Sequence, residues 1–204
     1  MKIEKNKISY VLGQSIGGDF KRNGYDIDID IFIDSFREAY GGMDCRMPVA
    51  EMRHIMMNFQ QYIREDQQKK QMAAVEKNLI QGNAFLEENR KKENVITTES
   101  GLQYKILRKG SGKKPLSTDD VVTHYEGKTI DGKIFDSSYK RGTPASFPVS
   151  GVIKGWQEVL QLMEEGAKWE IFVPSDLAYG QAGSGGTIEP HSTLIFTIEL
   201  IAVQ

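Results

Sequence analysis

The residues best placed to do chemistry by type and spacing lie in one stretch, Ser150-Gly151-Val152-Ile153-Lys154-Gly155-Trp156. It joins a strand-like segment, Ala145 to Val149, to a short helical one, Gln157 to Glu165. A tryptophan where a helix begins can lay its ring as the floor of a concave site, with Val152 and Ile153 standing beside it as walls. Gly151 and Gly155 remove side chains where the backbone must turn. The stretch therefore offers an apolar slot with a free backbone N–H at its rim, the usual parts of a small-ligand pocket. Taken alone, the stretch reads first as ordinary core packing, a Trp with two aliphatic neighbours.

Other rings could join that slot. Tyr125 shares a strand face with Thr123, so its ring can line a cavity while its hydroxyl reaches outward. Phe135, Phe147, Tyr179 and Phe196 also lie in or beside β-like segments, and Asp136 is the carboxylate they flank most closely. Spacing does not decide whether these rings converge or are separate pieces of core.

Metal and nucleophile chemistry find little support. The three histidines, His54, His124 and His191, stand apart from one another and from Cys45, with no CxxC or HExxH. Ala182 to Gly186 lacks the first glycine of a nucleophile elbow. Gly110 to Lys113 lacks the spacing of a phosphate loop. No metal and no cofactor is expected.

Composition narrows the class further. The 204 residues allow one or two domains, and 39% hydrophobic residues suit a globular chain. Lys plus Arg is 26 against 28 for Asp plus Glu, so a net charge of −2 argues against nucleic acid or a membrane surface as partner. The single cysteine permits no intrachain disulfide. The start reads as no signal peptide and no segment is long enough to span a bilayer, so a reducing cytoplasm is expected.

Two kinds of element must position these residues. Ile8 to Phe20 and Ile29 to Tyr40 read as helices with apolar stripes at steps of three and four, the second capped by Asp28. From Pro48 to about Lys92 good helix formers run without another proline, which predicts one long helix. Its middle, Arg64 to Gln71, has no apolar residue, as in a solvated strut between two packed bodies. The first body is small for its rings and methionines, an excess of apolar surface that two copies would bury together. From Val95 the pattern turns to β. Short alternating segments surround one short helix whose buried face would be Val159, Leu160, Leu162 and Met163, with Gly166 as its stop. Without βαβ alternation this is an antiparallel α+β domain.

Five stretches then carry a resemblance: Val122-Thr-His-Tyr-Glu-Gly127, Asp131-Gly-Lys-Ile-Phe-Asp-Ser-Ser138, Val152-Ile-Lys-Gly-Trp156, Ala178-Tyr-Gly180 and Pro190-His-Ser-Thr-Leu-Ile-Phe196. In order and interval they resemble the FKBP-type peptidyl-prolyl cis/trans isomerases, over about Gly101 to Gln204. The helical half and the Gly101-Leu-Gln-Tyr104 entry resemble the macrophage infectivity potentiator (Mip-like) branch, whose members are V-shaped homodimers joined through their N-terminal helices. The resemblance implies Trp156 as pocket floor, with Tyr125, Phe135, Phe147, Val152, Ile153, Tyr179, Ile188 and Phe196 as walls. It implies Asp136 as the family's acidic position, and the Ile153 N–H and Tyr179 hydroxyl as groups that bond carbonyls of substrate or macrolide. Ser184-Gly185 and Thr187 depart from the bulkier residue, proline and aliphatic side chain of well-known members.

The expected architecture is therefore α+β. An N-terminal all-α dimerisation domain spans 1–63, the solvent-bridging part of the long helix spans 64–94, and an FKBP-like antiparallel sheet wrapped on one short helix spans 95–204. The resemblance implies a homodimeric isomerase acting on X-Pro bonds of folding proteins, with chaperone-like client binding and macrolides such as rapamycin or tacrolimus as inhibitors. A non-catalytic dimeric clamp for unfolded chains is the alternative.

Overall fold

The structure, a computed structural model, describes residues 4–204, and the chain divides into two compact units, the first ending at Tyr62 and the second running Ile63–Gln204.

The first unit holds α1 (Lys5–Arg22), α2 (Ile29–Tyr40) and the start of α3 (Val49–Asn89). Asp28 caps α2, its carboxylate accepting the Asp30 and Ile31 N–H groups at 3.0 Å each. Rings pack edge to face between elements, Phe20 on Phe32 at 5.3 Å and Tyr25 on Phe59 at 5.1 Å. Yet no residue of α1 or α2 is buried, and Val11, Phe36, Tyr40 and Met56 are each more than half exposed. Three helix segments alone are too small to cover their own apolar surface.

In the second unit the strands are β1 (Ile96–Thr97), β2 (Gln103–Arg108), β3 (Asp120–Thr129), β4 (Ile134–Ser137), β5 (Ala145–Pro148), β6 (Lys168–Val173) and β7 (Leu194–Val203). They form one sheet in the order β1-β2-β6-β7-β3-β4, with β5 also on β3. Every pairing is antiparallel. A four-residue helix, α4 (Ser138–Arg141), follows β4, and α5 (Lys154–Leu162) lies between β5 and β6. The core joins Trp156, Val159 and Leu160 of α5 to Ile171 and Val173 of β6 and to Leu194, Phe196, Ile198 and Leu200 of β7.

Two expectations for α5 are corrected. The helix begins at Lys154 rather than Gln157, because extended Ile153 already offers its carbonyl to the Trp156 and Gln157 N–H groups. It ends at Leu162, not at Gly166, because Met163 turns extended while its N–H still reaches the Val159 and Leu160 carbonyls. Leu162 is consequently 40% exposed instead of joining the buried face.

The expected solvent-bridging segment, 64–94, is also corrected. Phe172 and Ile195 pair across β6 and β7 on the sheet face opposite the core, and both are buried. The cover is the C-terminal part of α3. Phe85 packs on Phe172 with ring centroids 5.9 Å apart. Gly82 lies so close to Thr193 that a Cβ there would stand 2.4 Å from its Oγ1. Buried Asn89 donates to the Gln103 Oε1 at 2.9 Å, and the Gln103 amide returns a bond to the Leu86 carbonyl at 2.9 Å. Asn78, Gly82, Phe85 and Asn89 follow each other at steps of four, three and four, one face of the helix. The polar run Arg64 to Gln71 lies before this packed region and is mostly exposed.

Candidate active site

The aromatic residues singled out in the sequence converge. Trp156, in the first turn of α5, is 4% exposed. Three rings stand almost perpendicular to its indole: Tyr125 at 5.2 Å, Phe196 at 5.4 Å and Phe147 at 6.0 Å, with interplanar angles of 85–87°. Phe135 continues the wall from Phe196 at 5.6 Å, again edge to face. Such edge-to-face contacts match the positive edge of one ring to the negative face of another. Val152 and Ile153 pack against the same cluster, of which buried Ile188 is a member. Among the described residues the Trp156 Nε1–H has no partner, and neither does the Ile153 backbone N–H.

The backbone reasons for this convergence are local. Tyr125 of β3 faces Ile198 of β7, and Gly127 lies between Phe196 of β7 and Asp136 of β4. A Cβ on Gly127 would fall within 2.6–2.8 Å of the Phe135 and Phe196 rings, so their meeting requires a glycine there. The 183–188 loop places Ile188. Gly183, Gly185 and Gly186 take positive φ, and Ser184 and Ile188 exchange backbone hydrogen bonds at 2.9 and 3.0 Å. Ser184, Gly185 and Thr187, the departures noted in the sequence, all lie in this tight loop.

One side of the pocket is polar. The Tyr125 hydroxyl donates to the Asp136 carboxylate at 2.5 Å. The Arg141 guanidinium donates to the other Asp136 oxygen and, at 3.0 Å, to the Tyr125 oxygen. Burial pushes the Asp136 carboxyl up, but the Tyr125 and Arg141 bonds outweigh it and hold the group below the usual carboxylate range. Burial, and then the hydrogen bond to Asp136, pushes the Tyr125 phenol up, against a smaller opposing pull from Arg141. Tyr179 moves the same way, burial first and the Asp136 charge second. At neutral pH the site thus holds a carboxylate, a guanidinium and two protonated phenols. Tyr179 is 37% exposed, and its hydroxyl makes no hydrogen bond among the described residues.

Every residue proposed for the site from sequence lies in this cluster except Tyr179, which stands at its exposed rim within electrostatic reach of Asp136. Three contributors escaped the sequence reading. Arg141 is one, since an arginine five residues from an acid carries no pattern of its own. Gly127 is another, visible in sequence only as a strand end. Ser138 is the third. The β3–β4 ladder pairs Glu126 with Ser137 and stops there as the chain turns into α4. The fully buried Ser138 hydroxyl then takes over both backbone groups of Tyr125, accepting its N–H at 2.7 Å and donating to its carbonyl at 3.1 Å. That exchange lets α4 start at once and bring Arg141 back onto Asp136.

The chain is similar to known proteins along its whole length. Residues 111–201 match the family described as FKBP-type peptidyl-prolyl cis-trans isomerase, and residues 5–106 match the domain amino terminal to it. The peptidyl-prolyl cis-trans isomerase Mip of Coxiella burnetii is 43% identical over 204 residues, covering 100% of this chain and 89% of its own. The outer membrane protein MIP of Legionella longbeachae is 42% identical over 201 residues, covering 98% and 86%. The crystal structure of FkpA from Escherichia coli superposes with a TM-score of 0.77 at 34% identity, covering 100% of this chain and 98% of the other.

Proposed function

The chain belongs to the FKBP-type peptidyl-prolyl cis-trans isomerases, and from this premise we propose how its residues carry the reaction and what it acts on. An X-Pro bond turns slowly because its C–N bond has partial double-bond character, with a barrier of about 18–20 kcal/mol and relaxation over tens to hundreds of seconds. In the transition state the amide is twisted and has lost resonance, so its carbonyl is less polarised than in the planar form. An apolar pocket accepts that state better than the planar one, whose larger dipole prefers water. This is differential binding of the transition state, aided by desolvation.

The observation that carries the proposal is the perpendicular set of rings around Trp156. The proline ring sits on the indole, among Tyr125, Phe135, Phe147, Val152, Ile188 and Phe196. The Ile153 N–H and the Tyr179 hydroxyl hold the flanking carbonyls and fix the twist. Asp136, anchored by Tyr125 and Arg141, orients the substrate and its neighbours through its charge. It is not a general base, because no proton needs to move. Macrolides such as rapamycin and tacrolimus would occupy the same slot. The test is the rate of cis–trans exchange in a proline-containing tetrapeptide, with and without rapamycin.

The half-exposed rings and methionines of the first unit support a homodimer formed through the N-terminal helices. Two pockets in one assembly raise the effective concentration of sites for a folding chain already held, so the substrates are proteins folding through X-Pro bonds. A dimer that gripped such chains without catalysis would leave the tetrapeptide rate unchanged. Among the described residues no helix is long and apolar enough to cross a membrane. The Legionella relative is named an outer membrane protein. A cytoplasmic setting is the part of the proposal that cell fractionation tests.

A further inference from the structure

One peptide group connects α3 to the rim of the pocket. The Asn78 side-chain amide donates to the Pro190 carbonyl at 3.0 Å and to the Glu189 carboxylate at 3.1 Å. The N–H of that same peptide, on His191, donates to the Gly180 carbonyl at 2.8 Å. Gly180 follows Tyr179 directly. A single planar group is therefore held by a helix on one side and, on the other, holds the Gly180–Gln181 peptide that follows Tyr179.

The surroundings make this link specific. His191 takes φ of +55°, in the left-handed region that a non-glycine residue enters only when its neighbours hold it there. Ser192 closes the same turn by donating to the Glu189 carbonyl at 2.7 Å. The helix cannot slide away from the loop freely, because Gly82 is seated against Thr193 one turn further on. Residue 78 also lies outside the stretch that matches the isomerase domain, residues 111–201.

We propose that Asn78 is a positioning residue of the active site, placing Tyr179 through the Pro190–His191 peptide, so that α3 is part of the catalytic unit. The proposal rests on the isomerase reading for its functional consequence and on the hydrogen-bond geometry for its structural one. It makes the long helix more than a spacer. A disturbance that shifted its C-terminal part would move the Tyr179 hydroxyl without touching the pocket floor.

The experiment uses the full-length protein and two variants, Asn78→Ala and Asn78→Asp, the second keeping the size but not the donor. Amide hydrogen exchange is followed across residues 179–192, and the tetrapeptide rate is measured alone and combined with Tyr179→Phe. Both variants are expected to exchange the His191 amide roughly tenfold faster, with kcat/KM down about fivefold, as for one misplaced hydrogen bond. On the Tyr179→Phe background Asn78→Ala should cost almost nothing more, since the positioned hydroxyl is already gone. Unchanged exchange overturns the structural link. Faster exchange with full activity, or losses that multiply in the double variant, overturns the positioning role. A wild-type protein inactive on the peptide sinks the isomerase reading alone, and the exchange result still decides the link.

Discussion

Arg141 closes a loop of five residues back onto Asp136, pairing with its carboxylate while also donating to the Tyr125 hydroxyl that bonds the same acid. The triad spans β3, β4 and the end of α4, so the polar side of the pocket depends on where that four-residue helix begins. Asp136→Ala should lower kcat/KM only partly, by about tenfold, equivalent to about 1.4 kcal/mol. The check is the tetrapeptide rate. A loss of several orders of magnitude with a bell-shaped pH–rate profile would indicate acid–base chemistry instead.

The same triad fixes a pH dependence. The folded Asp136 carboxyl is held below its unfolded value, ordinarily about 3.9. Its stabilising contribution is therefore complete above that unfolded value and is lost as pH falls through the lower folded one. Arg141→Ala removes one of the groups holding it down, so that burial pushes it up against Tyr125 and the Ser137 N–H alone. Acid unfolding followed by circular dichroism should then begin at higher pH in the variant than in the wild type. Identical acid transitions would show that the ion pair contributes nothing.

Gly127 is a steric requirement of the pocket wall, because a Cβ would meet both Phe135 and Phe196. Gly127→Ala should destabilise by roughly 1–3 kcal/mol, the usual cost of overpacking. Its remaining folded fraction should be less active, since the two rings must part. Urea unfolding and the peptide rate measure the two effects, and a neutral substitution would show that the rings move aside freely.

The strands, α2 and its Asp28 cap were legible because alternation and three-four spacing record which face is buried. The pocket rings were legible through a family resemblance, as spacing alone left them as possible core. The packed part of α3 was legible only in part. Its packed face reads Asn78, Gly82, Phe85, Asn89, and apolar spacing picks out Phe85 but passes over the amide hydrogen bonds and the close-approach glycine beside it. Ser138 and Arg141 were hidden for a similar reason. Their roles depend on the ladder ending at Ser137, which is a tertiary event.

That packing refines the expected behaviour of fragments. A fragment beginning near Gln71 keeps the helix face that covers Phe172 and Ile195, and lacks the apolar surface of the first unit. It should be monomeric by light scattering and active on peptides, but slow in a proline-limited refolding reaction. A fragment beginning at Gly101 exposes Phe172 and leaves Gln103 without Asn89, and should unfold at a lower temperature. A dimeric Gln71 fragment would contradict assignment of the interface to the first unit.

The central claim is that the ring-lined slot over Trp156 is where the X-Pro bond turns. The most direct measurement is the tetrapeptide isomerisation rate of Trp156→Leu, which keeps an apolar side chain at the core, beside rapamycin binding and a circular dichroism spectrum. Trp156→Ala is the more severe companion, expected to cost about 3–5 kcal/mol of stability. The account predicts a folded Trp156→Leu protein with kcat/KM reduced at least about tenfold and rapamycin binding weakened in parallel. A folded variant that retains full peptide activity would contradict it.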